Sequence, residues 1–458
     1  MNLQDKFNKS VSEKAIDSEF YGQMTDFANS FSKQKQSKAG IIQHPENAKK
    51  RGAFYRWRTT ENLDKHLIEF ESNFLKKGGK VIWAPDEKDI QKEVALLLAK
   101  YNNYDIEVSH SPIFEEAGLY NALSNKPSHS AGIEATLCGE KRAYSHPVFP
   151  LAHVGKEKAN VFFNEFLGLK ARTETKYWAE YYRDKSISKT INKSIAFVSP
   201  QFALTDSGSL VFVGNNGLQT SLVMQSNIIV ALVGIDQMVA TKNELETLLP
   251  LLSVYGQAEA LSRQLLFVGG PKQSSFDEGP EEIYIILFDN GRSNTLSKPA
   301  IRQSSHCIQC GACHMVCPVF RMVGAESYRP ANAGPIGKVT SQQQYIAKEM
   351  KHLSFASTHC GACTEVCPVK IDIHSLIVNN RKDSQETGHA GANEKYLWLA
   401  WKRMMLKRKR MNQTTSLKSF MFRTAFRKNW GEKREFPQLV ERSFNQMWVE
   451  QFGSGQED

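Results

Sequence analysis

The chain has 458 residues, of which 41% are hydrophobic and 23% are charged, and its formal net charge is +10. These proportions are ordinary for a soluble globular protein of two or three domains. The first residues, MNLQDKFNKS, lack the apolar core of a signal peptide, and the longest apolar stretch, from Ile228 to Ile235, is too short to span a bilayer. Composition therefore argues against secretion and membrane insertion, and we expect a cytoplasmic protein.

The first part of the chain alternates helices with a strand. Residues 1–60 are polar and are expected to form a helical segment. From Glu61, apolar residues recur at helical spacing as far as Phe74, and a glycine pair then precedes a strand from Val81 to Ala84. A second helix follows, and this order predicts an α/β layer structure.

Five apolar runs in the middle of the chain predict buried strands. Continuous, β-branched runs suit a sheet that is covered on both faces, so we expect a mostly parallel sheet with helices on both faces. A leucine-rich segment from Leu245 to Leu252 predicts a helix between two of these strands. The strands are expected at Ile195–Val198, Leu210–Val213, Ile228–Val233, Leu265–Val268 and Ile283–Phe288.

The loops between these strands contain glycines and small hydroxyl residues. Such loops can hold an anion through backbone N–H groups at the ends of strands, but the same residues also form ordinary turns. Both interpretations stay open on spacing alone. The loops concerned are Asp206–Ser209, Gly214–Gly217, Gly269–Pro271 and Asp277–Pro280.

Seven of the eight cysteines lie in two runs in the last third of the chain, and each run ends immediately before a proline. The pattern CxxCxxCxxxCP wraps three thiolates around one iron-sulfur cube, while the fourth thiolate reaches a second cube. Structural zinc sites instead use separated pairs of ligands, and disulfides are not expected in a large cytoplasmic chain. The runs therefore predict electron transfer; they consist of Cys307, Cys310, Cys313 and Cys317, then Cys360, Cys363 and Cys367.

The second run is one cysteine short, because Ser357 stands where a complete run has its first thiolate. By the crossing rule, one cluster is bound by Cys307, Cys310, Cys313 and Cys367, and the other by Cys317, Cys360 and Cys363. We expect two 4Fe-4S clusters, the second with an oxygen or nitrogen ligand or an open iron, or else a 3Fe-4S cluster there. The candidates for its missing ligand are Ser357, His359, His306 and the distant Cys138.

The positive charge is concentrated near the C-terminus. Between Gly391 and Phe436 there are 13 Lys and Arg against 3 Glu, which equals the whole net charge of +10. The basic run Leu406–Met411 follows a helical pattern with one apolar face, which predicts a helix packed on the body of the protein. Docking to an acidic partner or to an anionic membrane surface is the alternative, and no nucleic-acid-binding motif accompanies the charge.

Several segments resemble the iron-sulfur lactate utilization protein B family, and the resemblance covers most of the chain. The most specific are the two cysteine runs with the absent cysteine at Ser357 and the intervening GPIG. The supporting segments are Glu61–Ala84, Gly270–Ser293, Cys307–Tyr328, Gly334–Gly337 and Ser357–Ile373.

The resemblance implies a lactate utilization-type α/β domain at 61–295, a helical ferredoxin-like domain with two clusters at 296–385, and a basic C-terminal extension at 386–458. It also implies the seven cysteine ligands given above. Members of the family are thought to pass electrons from the oxidation of L-lactate to pyruvate, together with partner subunits. No GxGxxG fingerprint follows a strand, so we expect a non-catalytic electron-transfer subunit.

Two departures from the family pattern concern the α/β domain. The segment Val108–Pro112, ahead of Glu115 and Glu116, lacks a lysine found in the family, and the loop Gly214–Gln219 lacks an arginine. Two alternatives to the electron-transfer hypothesis stay open. One is a catalytic subunit that binds a hydroxy acid at the α/β loops or at an open iron, and the other is an iron-sulfur redox sensor.

Overall fold

The computed structural model describes residues 2–109, 111–123, 128–130, 193–214, 218–262, 264–274, 276–328, 332–387, 392–408, 412, 419–420, 423–424 and 442–453. Its strands are β1 Lys80–Ala84, β2 Asp105–Val108, β3 Ser128–Ser130, β4 Ser194–Val198, β5 Phe202–Leu204, β6 Ser209–Gly214, β7 Ile228–Gly234, β8 Met238–Val239, β9 Gln264–Val268 and β10 Glu282–Phe288.

A six-stranded parallel sheet forms the centre of the α/β part, with the strand order β1-β10-β7-β4-β2-β3. Alternate residues of a strand point to opposite faces, so Ile195 and Phe197 of β4 enter one apolar cluster while Ala196 and Val198 enter another. Both faces are therefore covered. The α/β class and the mostly parallel sheet that the sequence predicts are confirmed.

Two of the predicted strands lie outside the parallel sheet. The runs around Leu210 and Leu265 form β6 and β9 of a second sheet with the order β8-β5-β6-β9, in which β6 pairs antiparallel with both neighbours. A continuous apolar run looks the same in sequence whether its neighbours are parallel or antiparallel, which is why the pattern did not separate the two sheets. In β9 it also concealed an exposed face, because Leu265 and Phe267 are 40% and 44% exposed.

Helices cover the sheets and carry the cysteine loops. The helix Leu63–Lys76 buries Leu63, Leu67, Phe70 and Phe74 on one face, as their spacing predicts. The α-helices are Leu3–Lys14, Ser18–Lys38, Pro45–Glu61, Leu63–Lys76, Glu87–Lys100, Pro112–Glu116, Leu119–Ala122, Leu218–Gln225, Lys242–Leu252, Arg292–Ser297, Ala312–Val316, Pro318–Val323, Gly334–Gln344, Ala347–Phe355, Ala362–Val366, Ile373–Glu386, Ala392–Met405 and Phe444–Phe452.

The chain forms two compact units, Met1–Ser384 and Gln385–Asp458. The first contains both sheets and both cysteine runs. In the second, the helix Ala392–Met405 covers most of the apolar pattern predicted there, yet Tyr396 and Trp398 are exposed, at 72% and 58%. Among the described helices, none combines the length and the apolar character needed to cross a bilayer.

Candidate metal centres

The two cysteine loops follow the same backbone path. Gln309 and Gly311 have φ angles of 55° and 74° in the first loop, and His359 and Gly361 have φ angles of 54° and 79° in the second. Left-handed conformations of this kind favour glycine, which explains the glycine after the second cysteine position of each run. In both loops the backbone then enters a one-turn helix that carries the next cysteine.

Ser357 occupies the position in its loop that Cys307 occupies in the other. The N–H of Gln309 donates to Cys307 Sγ at 3.3 Å, and the N–H of His359 donates to Ser357 Oγ, also at 3.3 Å. The equivalence extends beyond sequence spacing, because the hydroxyl oxygen accepts the same backbone hydrogen bond as the thiol. Ser357 therefore stands at the place of the missing eighth thiolate.

Four buried or half-buried thiols form the first set. Burial, with smaller contributions from the neighbouring thiolates of Cys307, Cys310 and Cys367, raises the pKa of Cys313 well above its usual value. Burial likewise raises the pKa of Cys307 to about 12, with Cys367 again among its charged neighbours. The structure thus brings Cys367 out of its own run to the first three thiols.

The remaining three thiols form the second set, which is nearer the surface. Burial, followed by the charges of Cys317 and Cys360, raises the pKa of Cys363 to about 11. Cys360 is exposed, and its pKa is lowered by the N–H of Ala362 and the hydroxyl of Thr358. One set is therefore enclosed, whereas the other reaches solvent at Cys360.

The two cysteine runs match the ligand pattern of iron-sulfur cubes rather than that of a single zinc ion. Four sulfurs around one tetrahedral zinc ion lie about 3.8 Å apart, as follows from a Zn–S bond of about 2.3 Å. Within the described part of the chain, no three His, Cys, Asp or Glu side chains converge closely enough for one metal ion. A cube places one iron at each of four corners and so spreads its ligands, and all seven thiols of the two runs are free.

Three buried polar atoms beside the thiols have no hydrogen-bond partner among the described residues. They are the hydroxyl of Tyr328 and the Nε2 atoms of His306 and His359. Burial, with a smaller contribution from the thiolate of Cys317, raises the pKa of Tyr328. Burial and the nearby Arg56 lower the pKa of His306 to about 4, so its ring is neutral at pH 7. Hydrogen bonds to cluster sulfur would satisfy such groups.

Lys338 is a buried cation beside the second set. It follows the GPIG segment on the helix Gly334–Gln344, and only 1% of its surface is exposed. Its Nζ donates to the carbonyl oxygen of Ala356, just before Ser357. Burial lowers the pKa of Lys338, and the thiolates of Cys317, Cys363 and Cys313 oppose that shift.

Arg56 is a buried cation beside the first set. From the helix Pro45–Glu61 it donates to the carbonyl oxygens of Asp236 and Met238, both at 2.5 Å, and of Ser305 and His306. These bonds connect the end of the parallel sheet to the segment that enters the first cysteine loop. Burial lowers the pKa of Arg56, and the charges of Asp236, Cys307 and Glu244 raise it.

A cavity of 480 Å³ connects the carboxyl ends of the parallel strands with the first thiol set. Ser109 follows β2 and Ser199 follows β4, and the connections from these neighbouring strands run in opposite directions across the sheet. Ligands of open α/β sheets bind at such a point. The amide of Gln219 donates to the Ser199 carbonyl at 3.1 Å across the crevice. Cys307, Cys310, Cys313 and Cys367 line the other side.

The charged groups of this cavity neutralise one another in part. Arg292 donates to Glu116 Oε1 at 2.6 Å and to Oε2 at 3.0 Å, and its Nε donates to Asp236 at 2.7 Å. Burial lowers the pKa of Arg292, but the charges of Glu116 and Asp236 have a larger combined effect, so the pKa of Arg292 is raised. Glu116, which belongs to the Glu-Glu pair noted in the sequence, is therefore a structural partner of Arg292.

Contacts within the protein account for part of the glycine loops, and whether these loops also bind an anion stays a prediction. Lys77 Nζ donates to the Ser207 carbonyl at 2.5 Å, and a Cβ on Gly270 would lie 2.8 Å from the Lys77 carbonyl oxygen. The Asp277 carboxylate accepts the N–H groups of Gln273 and Ser274, which lowers its pKa. Close packing therefore fills the loops at Ser207 and Gly270, and the Asp277 carboxylate accepts backbone N–H groups within its own loop. Residues 215–217 and Cys138 lie outside the described residues.

Comparison with known proteins matches two segments of the chain to known domains. Residues 67–288 match the LUD domain and residues 303–371 match the 4Fe-4S dicluster domain. A lactate utilization protein B from Bacillus cytotoxicus is 32% identical over 380 residues, which is 82% of this chain and 80% of that protein. The chain belongs to the lactate utilization protein B family. Relatives of that name from Bacillus cereus AH820 and Bacillus thuringiensis Al Hakam are 31% identical over the same extent.

Membership of the family confirms the resemblance seen in the sequence, and the dicluster match makes this lactate utilization protein B relative an iron-sulfur protein. A DUF162 family protein from Deinococcus radiodurans matches 50% of the chain and 98% of its own length, with 12% identity and a TM-score of 0.26. The sequence did not single out Lys338, Arg56 or Tyr328. Their chemistry depends on burial, which no local pattern signals.

Proposed function

We propose that this protein is an electron-transfer subunit of lactate utilization, which passes electrons from the oxidation of L-lactate to pyruvate among partner subunits. The observation that carries the proposal is the division of seven thiols between two neighbouring sets. The last cysteine of each run, Cys317 or Cys367, lies with the thiols of the other run. Two clusters bound in this way each supply a one-electron store. Lactate gives up two electrons, so two such centres match the demand.

The proposed ligands are Cys307, Cys310, Cys313 and Cys367 for cluster 1, and Cys317, Cys360 and Cys363 for cluster 2. Both are proposed to be 4Fe-4S clusters. We assign the fourth corner of cluster 2 to Ser357, because its hydroxyl accepts the hydrogen bond that Cys307 accepts in the first loop. An oxygen ligand completes the site without an eighth thiolate.

The chain itself encloses cluster 1 and leaves cluster 2 near the surface. Cys310, Cys313 and Cys367 are at most 9% exposed, whereas Cys360 is exposed. Exclusion of water protects the inner cluster, and a short distance to the surface serves exchange with a partner. We therefore propose that partner subunits approach at the second cysteine loop.

Anaerobic reconstitution followed by iron and sulfide analysis and low-temperature electron paramagnetic resonance tests the proposal. We expect two 4Fe-4S clusters in the wild-type protein, one of them lost in Cys367→Ala, because alanine offers iron neither sulfur nor oxygen. Cys138→Ala is the matched control, because Cys138 belongs to neither run and its loss should change nothing. A single cluster, or a 3Fe-4S signal as the main species in freshly prepared protein, would contradict the ligand assignment.

Variants of Ser357 test the fourth corner separately. Ser357→Cys supplies a thiolate at the same place and is expected to retain two clusters, with an altered signal for cluster 2 alone. Ser357→Ala removes the oxygen and is expected to convert cluster 2 largely to a 3Fe-4S form. If Ser357→Ala leaves the spectrum unchanged, the fourth ligand is not Ser357.

The cavity at the sheet edge favours a second candidate, a catalytic role for the α/β domain next to cluster 1. Its lining brings hydroxyl and amide groups from Ser109, Ser111 and Gln219 to the side that faces the first thiols. The isolated protein would then reduce an artificial acceptor with L-lactate. Activity only after addition of partner subunits would reject this candidate and support the electron-transfer role.

A further inference from the structure

No carboxylate in the part of the chain that the structure describes balances the charge of Lys338. Within the described residues its Nζ has one hydrogen-bond acceptor, the carbonyl of Ala356, and no salt bridge. The ring of Tyr328 lies 5.7 Å from the ammonium group. A buried ammonium ion needs an anion nearby, because transfer of an isolated charge out of water is strongly unfavourable. The anionic groups that influence Lys338 are the thiolates of Cys317, Cys363 and Cys313.

Arg56 at the first set shows the contrasting arrangement. Its guanidinium is also buried, at 2% exposure, but the carboxylates of Asp236 and Glu244 are among the charges that act on it. At cluster 1 the charge of Arg56 is therefore met in part by protein carboxylates, which also pair with Arg292 and Arg58. At cluster 2 the compensating charge has to come from the cluster and its thiolates.

We propose that Lys338 is a positioning residue that acts on cluster 2 through its charge and makes cluster 2 easier to reduce than cluster 1. This inference rests on the proposed function, since it requires two bound clusters. A fixed positive charge stabilises the added electron, and burial prevents solvent from screening it. Electrons from the enclosed cluster 1 then collect at cluster 2, whose exposed Cys360 faces the surface.

Redox titration of each cluster by electron paramagnetic resonance tests the proposal in the full-length, cluster-loaded protein. In Lys338→Met we expect the equilibrium constant for reduction of cluster 2 to fall at least tenfold, a change of about 59 mV for one electron. The reduction potential of cluster 1 should change less, because Cys313 is the one ligand of cluster 1 whose charge acts on Lys338. Lys338→Arg keeps the positive charge, so the reduction potential of cluster 2 in this variant is expected to stay close to that of the wild-type protein.

Lys370→Met is the matched control, because Lys370 lies three residues after Cys367 but is exposed and paired with Glu46 at 2.7 Å. It should leave both potentials unchanged. An unchanged potential in Lys338→Met, or an equal fall in Lys338→Arg, would overturn the proposal. If Lys338→Met loses cluster 2 while Lys338→Arg keeps it, the charge requirement is supported; loss from both variants would indicate a requirement of shape and overturn it.

The failures of the two proposals are distinguishable. Two clusters in the wild-type protein, with potentials that do not depend on the charge at position 338, would leave the electron-transfer role in place and remove only the role of Lys338. Absence of two clusters from the wild-type protein would remove the proposed function itself.

Discussion

At the scale of single residues, the seven thiols differ in how readily they ionise. Burial raises the pKa of Cys307 and Cys310, whereas the N–H of Ala362 and the hydroxyl of Thr358 lower the pKa of the exposed Cys360. The thiolate is the nucleophile in alkylation, so a lower pKa and exposure both increase the rate. In the cluster-free protein at pH 8, we expect iodoacetamide to modify Cys360 first, as measured by peptide mass spectrometry.

The cluster-loaded protein serves as the control for this labelling experiment. Ligation to iron takes the thiolates out of reaction, so all seven should then be protected. Lowering the pH to 6 in the cluster-free protein should slow the labelling of Cys360, because fewer molecules carry the thiolate. Labelling of Cys310 as fast as that of Cys360 would contradict the difference in environment.

At the scale of elements, the first cysteine loop depends on a close approach of the backbone. A Cβ on Gly256 would lie 2.7 Å from the carbonyl oxygen of Cys310 and 2.9 Å from its Cβ. Backbone atoms cannot move aside as a flexible side chain can. We therefore expect Gly256→Ala to displace Cys310 and to remove about half of the iron bound per chain, measured after reconstitution.

Gly22→Ala is the matched control for that substitution. Gly22 lies on the helix Ser18–Lys38, and a Cβ there would meet nothing within 4 Å. Alanine should be neutral or slightly stabilising at this position, since it reduces the freedom of the unfolded chain. Normal iron content in Gly256→Ala would show that the loop tolerates the displacement.

The ion pair between Glu116 and Arg292 connects a short helix to the segment after β10. Both side chains are buried, at 3% and 6% exposure. Removal of one partner from a buried ion pair typically costs about 3–5 kcal/mol, and Arg292 would then keep Asp236 as its carboxylate partner. We expect Glu116→Ala to lower the free energy of unfolding by about that amount in denaturant titrations followed by circular dichroism.

The exposed Glu246 supplies the comparison for that measurement. It lies on the helix Lys242–Leu252, and Glu246→Ala should change the free energy of unfolding by less than about 0.5 kcal/mol. The m-value, which reports the surface exposed on unfolding, should be the same in both variants. Equal effects of the two substitutions would show that Arg292 finds a sufficient partner in Asp236 alone.

At the scale of the whole molecule, the sequence was sufficient to predict the α/β class, the parallel sheet and the thiols of the candidate site. The crossing rule predicts that Cys367 binds the cluster of the other run, and this ligand role stays a prediction; its side chain lies in one apolar cluster with Cys310 and Cys313. The second sheet was not predicted, because the apolar sequences of β6 and β9 do not distinguish parallel from antiparallel neighbours, and the exposure of Leu265 and Phe267 in β9 is visible only in the structure. The role of Lys338 was not predicted either, since its burial is set by long-range packing.

The second unit, Gln385–Asp458, combines positive charge with exposed aromatic side chains. Tyr396 and Trp398 are exposed, and Phe444 and Phe452 on the last helix are 72% and 62% exposed. Basic residues with interfacial aromatics are typical of segments that bind anionic lipid surfaces. We expect the full-length protein to sediment with vesicles that contain phosphatidylserine, and much less with vesicles of phosphatidylcholine alone.

A chain truncated after Ser384 should lose this binding and keep both clusters, because both cysteine runs lie in the first unit. Binding of the full-length chain should also weaken as salt rises from 0.1 M to 1 M, where the Debye length falls from about 10 Å to about 3 Å. Equal binding to neutral vesicles would indicate that the aromatic side chains act without the charge. If the full-length protein binds neither kind of vesicle but does bind an acidic partner subunit, the basic tail serves protein contacts instead.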